Sequence, residues 1–134
     1  MTAWQPHIAV LGCGGWGKNI VRTLAGLGAL RAIVDPSEAG RARAAELAPD
    51  ATVHASPTAV LEDPKVKGVM IATPAETHFE MGMAALEAGK DLFVEKPLTI
   101  DLEEGRQLAL RAQELGRVLM VGHLLLYHPG VERL

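Results

Sequence analysis

The sequence predicts an α/β protein, a doubly wound parallel sheet with helices on both faces. Three observations point there. Short apolar runs alternate with stretches whose apolar residues recur three and four positions apart. Glycine, proline and capping residues stand at the boundaries between them, as βαβ units with short turns require. Four glycines, at positions 12, 14, 15 and 17, lie between the first apolar run and the first helical pattern.

In chain order, Ile8 to Leu11 is the first buried strand. A helix follows, with Ile20, Val21, Leu24 and Leu27 on one face. Leu30 to Val34 is the second strand, and "SEAGRARAAELAP" the second helix, on which Arg41 and Arg43 read as a solvated face. Thr52 to His54 is a weaker strand. Ser56 before Pro57 places a capping hydroxyl ahead of a proline at the first helical position. Val69 to Ala72 is the next strand. Thr77 with Glu80 has capping-box spacing, and Phe79, Met83 and Leu86 share the face of the helix it opens. Leu92 to Val94 is a strand, Asp101 with Glu104 opens a helix carrying Leu108, Ala112 and Leu115, and Val118 to Val121 is the last strand. Gly28, Gly89 and Gly116 fall at helix ends, where a left-handed residue suits glycine. No repeat or low-complexity segment interrupts this order.

The 134 residues fit one domain able to bury a continuous core. With 49% hydrophobic and 22% charged residues, the composition is that of an ordered globular chain. The net charge of −3 offers no basic surface for nucleic acid. Cys13 is the single cysteine, which excludes an intramolecular disulfide and a cysteine metal cluster and agrees with a reducing compartment, so the cytoplasm is expected. The opening "MTAWQPHIAV" has no basic stretch ahead of its apolar run, unlike a signal peptide. The segment "VLMVGHLLLY" is far shorter than the roughly 18 residues of a membrane span. No metal site, membrane contact or nucleic-acid partner is expected.

The glycines acquire a role from their position. Strand, then Gly12-x-Gly14-x-x-Gly17, then helix is the order of a Rossmann-type nucleotide-binding turn. The first glycine allows the tight turn, the second lets backbone approach a pyrophosphate, and the third lets helix and strand pack closely. The helix amino end supplies N–H donors and positive dipole to the phosphates. Gly15 and Trp16 lie in the same loop and belong with the expected cofactor contacts; the indole either runs along the cofactor or covers the helix start. Cys13 reads as a small tolerated side chain or as a thiol activated by the helix terminus. Asp35 closes the second strand 18 residues after Gly17, where a carboxylate accepts from the adenosine ribose hydroxyls and repels a 2′-phosphate. NAD is therefore expected over NADP. A plain turn role before Pro36 is the alternative.

Two later stretches end strands at the same carboxyl edge, where open α/β sheets bind ligands. "VMIATPAETH" finishes in Thr73 and Pro74, and His78 begins the next helix as a packing or hydrogen-bonding residue. "DLFVEKPLTI" finishes in Glu95, Lys96 and Pro97; on composition alone Lys96 is a surface lysine.

The sequence of GCGGWG, VD at the second strand, ATPAETH after the fourth and EKP after the fifth resembles the glucose-fructose oxidoreductase, inositol dehydrogenase and MocA family over nearly the whole chain. The resemblance implies that Lys96 faces the nicotinamide and the substrate hydroxyl, that Glu95 contacts the cofactor, that the peptide before Pro97 is often cis, and that Thr73 and Pro74 border the cofactor. It implies an NAD-dependent dehydrogenase acting on a secondary alcohol of a sugar, nucleotide sugar or polyol. Lys96 would handle the hydroxyl proton, as a lysine can when burial or nearby charge lowers its pKa. Family members continue into a second, open antiparallel sheet bearing further catalytic residues. Residues 1–122 are thus expected as the dinucleotide-binding domain and 123–134 as the crossover toward that substrate domain. By itself such a half would bind NAD without turnover, and the apolar Leu124 to Tyr127 would favour a homo-oligomer. Two other readings stand beside this one. The first is a non-catalytic NAD-binding module or subunit of a split enzyme; the second, against which EKP argues, is a binder of coenzyme A or S-adenosylmethionine on the same fold.

Overall fold

The computed structural model describes residues 5–134. The six strands are β1 (Ile8–Leu11), β2 (Leu30–Val34), β3 (Thr52–His54), β4 (Gly68–Ile71), β5 (Asp91–Glu95) and β6 (Leu119–Gly122). They form one sheet in the order β3-β2-β1-β4-β5-β6, and every neighbouring pair is parallel. The helices are α1 (Gly17–Gly26), α2 (Glu38–Leu47), α3 (Thr58–Glu62), α4 (His78–Glu87), α5 (Leu102–Glu114) and a final turn, α6 (Pro129–Glu132). The chain winds outward from β1 to β3, then returns past β1 to lay down β4. The two halves therefore diverge at the β1–β4 seam, the place in such sheets where a ligand finds a crevice.

Both faces of the sheet are buried, which is why the strands read as continuous apolar runs. Alternate residues of β1 feed opposite cores. Ala9 and Leu11 join Val69, Ile71, Leu86, Leu92, Val94 and Leu108 under α4 and α5. Val10 joins Val21, Ile33 and Ala44 under α1 and α2. The pleat sends successive side chains to opposite sides, so one strand supports two helical layers.

The helix boundaries follow the chemistry of their caps, with three departures from expectation. Asp101 accepts hydrogen bonds from the backbone N–H groups of Glu103 and Glu104, as its spacing predicts. Gly28, Gly89 and Gly116 all have positive φ. Thr77, by contrast, does not cap α4: its hydroxyl donates back to the Pro74 carbonyl, because a short 3₁₀ turn over Ala75–Thr77 already leads the chain into the helix. Ser56 does not cap α3 either; its hydroxyl meets that of Thr58, and Pro57 is already in helical geometry. Leu27, expected on the buried face of α1, is 68% exposed, since the helix ends at Gly26 and the chain reverses at Gly28. Val118 and Ala72 fall just outside β6 and β4. The reading of the first ten residues as no export signal draws partly on residues 1–4, outside the described residues. Among those described, no helix is long and apolar enough to cross a membrane.

At the amino end of the sheet, polar groups replace apolar packing. Lys90 is buried and donates from Nζ to the carbonyls of Asp63 and Val66, each at 2.8 Å. Burial pushes its ammonium below the usual lysine range, against the opposing pull of Asp63. Arg31 Nε donates to Asp63 Oδ2 at 2.6 Å, so one aspartate loop is fastened from two directions.

The closeness of α1 to β1 is testable. A Cβ on Gly17 would collide with the Gly12 carbonyl oxygen, whereas one on Gly26 meets nothing within 4 Å. Gly17→Ala should lower conformational stability by about 1–3 kcal/mol through overpacking. Gly26→Ala should raise it by about 0.4–1 kcal/mol by restricting the unfolded chain. Urea denaturation of the two variants checks both signs.

Candidate functional site

The loop from Gly12 to Trp16 leaves the carboxyl end of β1 at the seam with β4. Gly12 has φ +96°, and a Cβ there would stand 2.7 Å from the Ala72 carbonyl oxygen, so the position demands glycine both for its conformation and for its neighbour. Gly14 and Gly15 have nothing within 4 Å of where a Cβ would be. Their backbone faces open space, and no side chain caps the first turn of α1. A bare loop before an uncapped helix amino end is the cradle that a pyrophosphate fits.

Asp35, at the end of β2, is 7% exposed and turns into this loop. Its Oδ2 accepts the N–H of Cys13, and its Oδ1 accepts both the N–H and the hydroxyl of Ser37, all between 2.7 and 2.8 Å. Burial works against the charge on Asp35. The donors from Cys13 and Ser37, with Arg41 nearby, outweigh it and hold the carboxyl below its ordinary range. Gly40 lies under the carboxylate, where any side chain would collide with it. Ser37 also caps α2 by accepting from the N–H of Gly40.

Arg43 is exposed and Arg41 half-buried, as a solvated helix face predicts, yet both also bind main chain. Arg41 donates to the carbonyls of Asp35 and Pro36, and Arg43 to the carbonyl of Cys13 at 2.6 Å. The loop lies within reach of long side chains on α2, a proximity that sequence spacing does not display. Cys13 is thereby held at both its N–H and its C=O. Its side chain is fully buried in the α1–α2 core, and burial raises the thiol above its usual value, with Arg43 opposing and Asp35 adding to the shift. It is a packing residue, not an activated thiol.

The end of β5 forms the other bank. Glu95 reaches across to the glycine loop, accepting from the Trp16 indole Nε1 at 2.8 Å. The Lys96–Pro97 peptide is cis. Lys96 is exposed, and its side chain makes no ion pair or hydrogen bond among the described residues. Trp16, Thr73, Glu95, Lys96, His123 and Leu125 line one open cleft of about 830 Å³, with Leu124, Leu126 and Val131 completing its apolar lining. Thr73 and Thr77 share a hydroxyl contact of 2.7 Å that shapes the β4 side. Pro74, Pro97, Asp35 and the glycines at 12, 14, 15 and 17 are not among the residues that line this cleft.

His78 is buried, as a packing or hydrogen-bonding residue, and it joins two loops. Its Nδ1 lies 2.8 Å from the Pro97 carbonyl and its Nε2 2.8 Å from the Thr73 carbonyl. The sequence placed this histidine at a helix start; nothing local to it signals a partner 19 residues away.

The folded-state shift of Asp35 gives a pH dependence. A carboxyl lowered by folding contributes stability that is full above its unfolded value, about 3.9, and that is lost as pH falls through the lower folded value. Asp35→Asn should be less stable than the parent by about 2 kcal/mol at neutral pH, with the gap narrowing in acid. Urea midpoints of both proteins at neutral pH and near pH 2.5 test this; a gap that widens in acid would refute it.

With this geometry in view, comparison with known proteins is informative. The model of an oxidoreductase family with an NAD-binding Rossmann fold matches residues 7–123. The chain is 37% identical over 133 residues to scyllo-inositol 2-dehydrogenase (NAD(+)) of Bacillus subtilis (strain 168), covering 94% of this chain and 38% of that protein. It is 34% identical over 125 residues to UDP-N-acetylglucosamine 3-dehydrogenase of Acidithiobacillus ferrooxidans, covering 93% and 39%. A solved structure of KijD10, a 3-ketoreductase from Actinomadura kijaniata in complex with NADP and TDP-benzene, superposes with a TM-score of 0.86 at 28% identity, over 97% of this chain and 41% of that one. The chain thus spans about two fifths of the length of the curated relatives it matches. Its strand order, its glycine turn and the match over residues 7–123 make it a member of the glucose-fructose oxidoreductase, inositol dehydrogenase and MocA family of NAD-binding oxidoreductases.

Proposed function

We propose that this chain is the cofactor-holding part of a dehydrogenase that oxidises a secondary alcohol of a sugar, nucleotide sugar or polyol, with Lys96 acting on the hydroxyl proton. One observation carries the reading. Trp16 of the glycine loop and Glu95 and Lys96 of the β5 turn line a single cleft, and the Lys96 side chain makes no ion pair or hydrogen bond among the described residues. The named activities of the inositol and UDP-sugar relatives support the substrate class.

Each residue has a distinct task. Gly14, Gly15 and the amino end of α1 take the pyrophosphate, since nothing lies within 4 Å of where a Cβ would stand at either glycine and no side chain caps the first turn of α1. Gly12 and Gly17 keep the turn tight enough for this approach. Asp35 offers its remaining acceptor capacity to the ribose hydroxyls and a negative charge against a 2′-phosphate, which favours NAD over NADP. Trp16 borders the cofactor on the β1 side, Thr73 and Pro74 on the β4 side, and Glu95 and Pro97 on the β5 side. NAD, when bound, supplies the acceptor for the hydride. Acting as a base requires the free amine of Lys96, not its ammonium; that amine would hold the hydroxyl of the substrate and receive its proton as the carbinol carbon gives up hydride and becomes a carbonyl. Residues 1–122 form the dinucleotide-binding domain, and 123–134 cross toward a substrate-binding part; Leu124, Leu125 and Leu126, each more than 60% exposed, suit such cover or a second copy of the chain. A homo-oligomer in the cytoplasm fits that apolar segment and the single buried thiol.

Calorimetric titration of the 134-residue chain should give tighter binding of NAD than of NADP, and the reverse order would overturn the role of Asp35. Gly14→Val should weaken NAD at least about tenfold while the unfolding midpoint changes little, because the new side chain occupies ligand space and not core. In a protein that carries the substrate-binding part as well, Lys96→Met should lower turnover by about 10²–10⁴ with NAD affinity unchanged. Equal turnover would return Lys96 to an ordinary surface position.

A further inference from the structure

His78 lies outside the cleft, 1% exposed, yet among the described residues its side chain hydrogen-bonds both the β4 loop and the β5 loop. Its two partners are main-chain carbonyls, Thr73 O at Nε2 and Pro97 O at Nδ1, each at 2.8 Å. A carbonyl oxygen carries no proton, so every proton in these contacts must come from the ring. A neutral imidazole has one N–H and one lone pair. In that form one contact is a hydrogen bond, and the other sets a nitrogen lone pair against an oxygen lone pair at hydrogen-bond distance. The doubly protonated ring has two N–H groups and satisfies both carbonyls with charge-assisted bonds.

We propose that His78 is a positioning residue of the cofactor site: as an imidazolium it ties the Thr73–Pro74 loop to the Lys96–Pro97 loop, and loss of one ring proton releases one of the two. The proposal rests on the reading of these loops as cofactor-bordering. Two influences oppose the charge, burial and the positive amino end of α4, at whose first residue the ring stands. Two favour it, the paired carbonyls themselves. At the ends of the neighbouring elements nearest the ring in the chain, the charged side chains are Glu76 and Glu80 before and early in α4, Glu95 and Lys96 at the end of β5, and Asp101, Glu103 and Glu104 at the start of α5; Glu87, Asp91, Arg106, Arg111 and Glu114 stand farther along the same elements. None of them hydrogen-bonds the ring, whose contacts are both with main chain. The ring therefore acts on spacing, holding Lys96 and Pro97 at a fixed distance from Thr73 without meeting the cofactor or the substrate.

Two measurements on the intact chain test this. Nitrogen-15 NMR of the His78 ring, between about pH 5 and 9 where a histidine changes charge, should show both nitrogens protonated at the acid end and one proton lost at a single midpoint. NAD affinity, measured by calorimetry over the same range, should fall by about tenfold as that proton leaves, and His78→Gln should bind at the weaker level throughout with no step at that midpoint. The variant separates this step from titration of His123, which lines the cleft. A ring that keeps one bare nitrogen at the acid end overturns the imidazolium, whether or not the variant folds. A wild-type affinity profile parallel to that of His78→Gln overturns the positioning role. Failure of the chain to bind NAD at any pH would instead count against the cofactor reading, while leaving the ring spectrum to judge the tie.

Discussion

The site depends on how closely the chain passes itself where β1 and β4 part. At Gly12 a side chain would press on the Ala72 carbonyl, and at Gly17 it would collide with the Gly12 carbonyl, so two missing methyl groups set the distance between the first turn, the first helix and the fourth strand. The glycine loop and the Thr73–Pro74 loop leave the sheet at that seam, and the β5 loop lies one strand beyond it. The glycine loop is held from below by Asp35 and Arg43, which take the N–H and the C=O of Cys13. The β5 loop is held from the side by Trp16 and from behind by His78. The glycine loop, with little side chain of its own, is thus tied from three places, by Asp35 after β2, Arg43 on α2 and Glu95 at the end of β5, which is how a bare backbone can be pre-arranged for a ligand.

The sheet was legible because its strands are buried on both faces. Ile8–Leu11 and Leu30–Val34 agree residue for residue with the apolar runs that announce them. Asp101 was legible as a cap because its donors, Glu103 and Glu104, are two and three residues away. Thr77 and Ser56 have equally suitable spacing and do something else, since the backbone ahead of each had already turned by another route. Local spacing can nominate a cap, but the path by which the chain arrives decides it.

The glycine turn and the Glu95-Lys96-Pro97 turn were visible as motifs, each within a few consecutive residues. What joins them was not. The Trp16 to Glu95 hydrogen bond spans 79 residues, and Arg43 reaches Cys13 across 30. Such contacts follow from strand order, and strand order places the first and fifth strand ends on either side of the fourth. Arg41 and Arg43 show the same point from the other side. Arg41 turns back to the carbonyls of Asp35 and Pro36 just ahead of its own helix, whereas Arg43 finds its carbonyl only because the glycine loop lies beside α2.

The single thiol gives this arrangement a clock. Cys13 sits under the glycine loop with no exposed surface, and a thiol reagent can reach it only when the loop, or the core beneath it, comes apart. Its rate of alkylation relative to a free thiol is then the fraction of time the loop stands open, a local stability read from one atom without a label or a ligand assay. Because the N–H and C=O of the same residue are the points at which Asp35 and Arg43 grip, the sulfur reports on the very peptide that those two side chains hold in place.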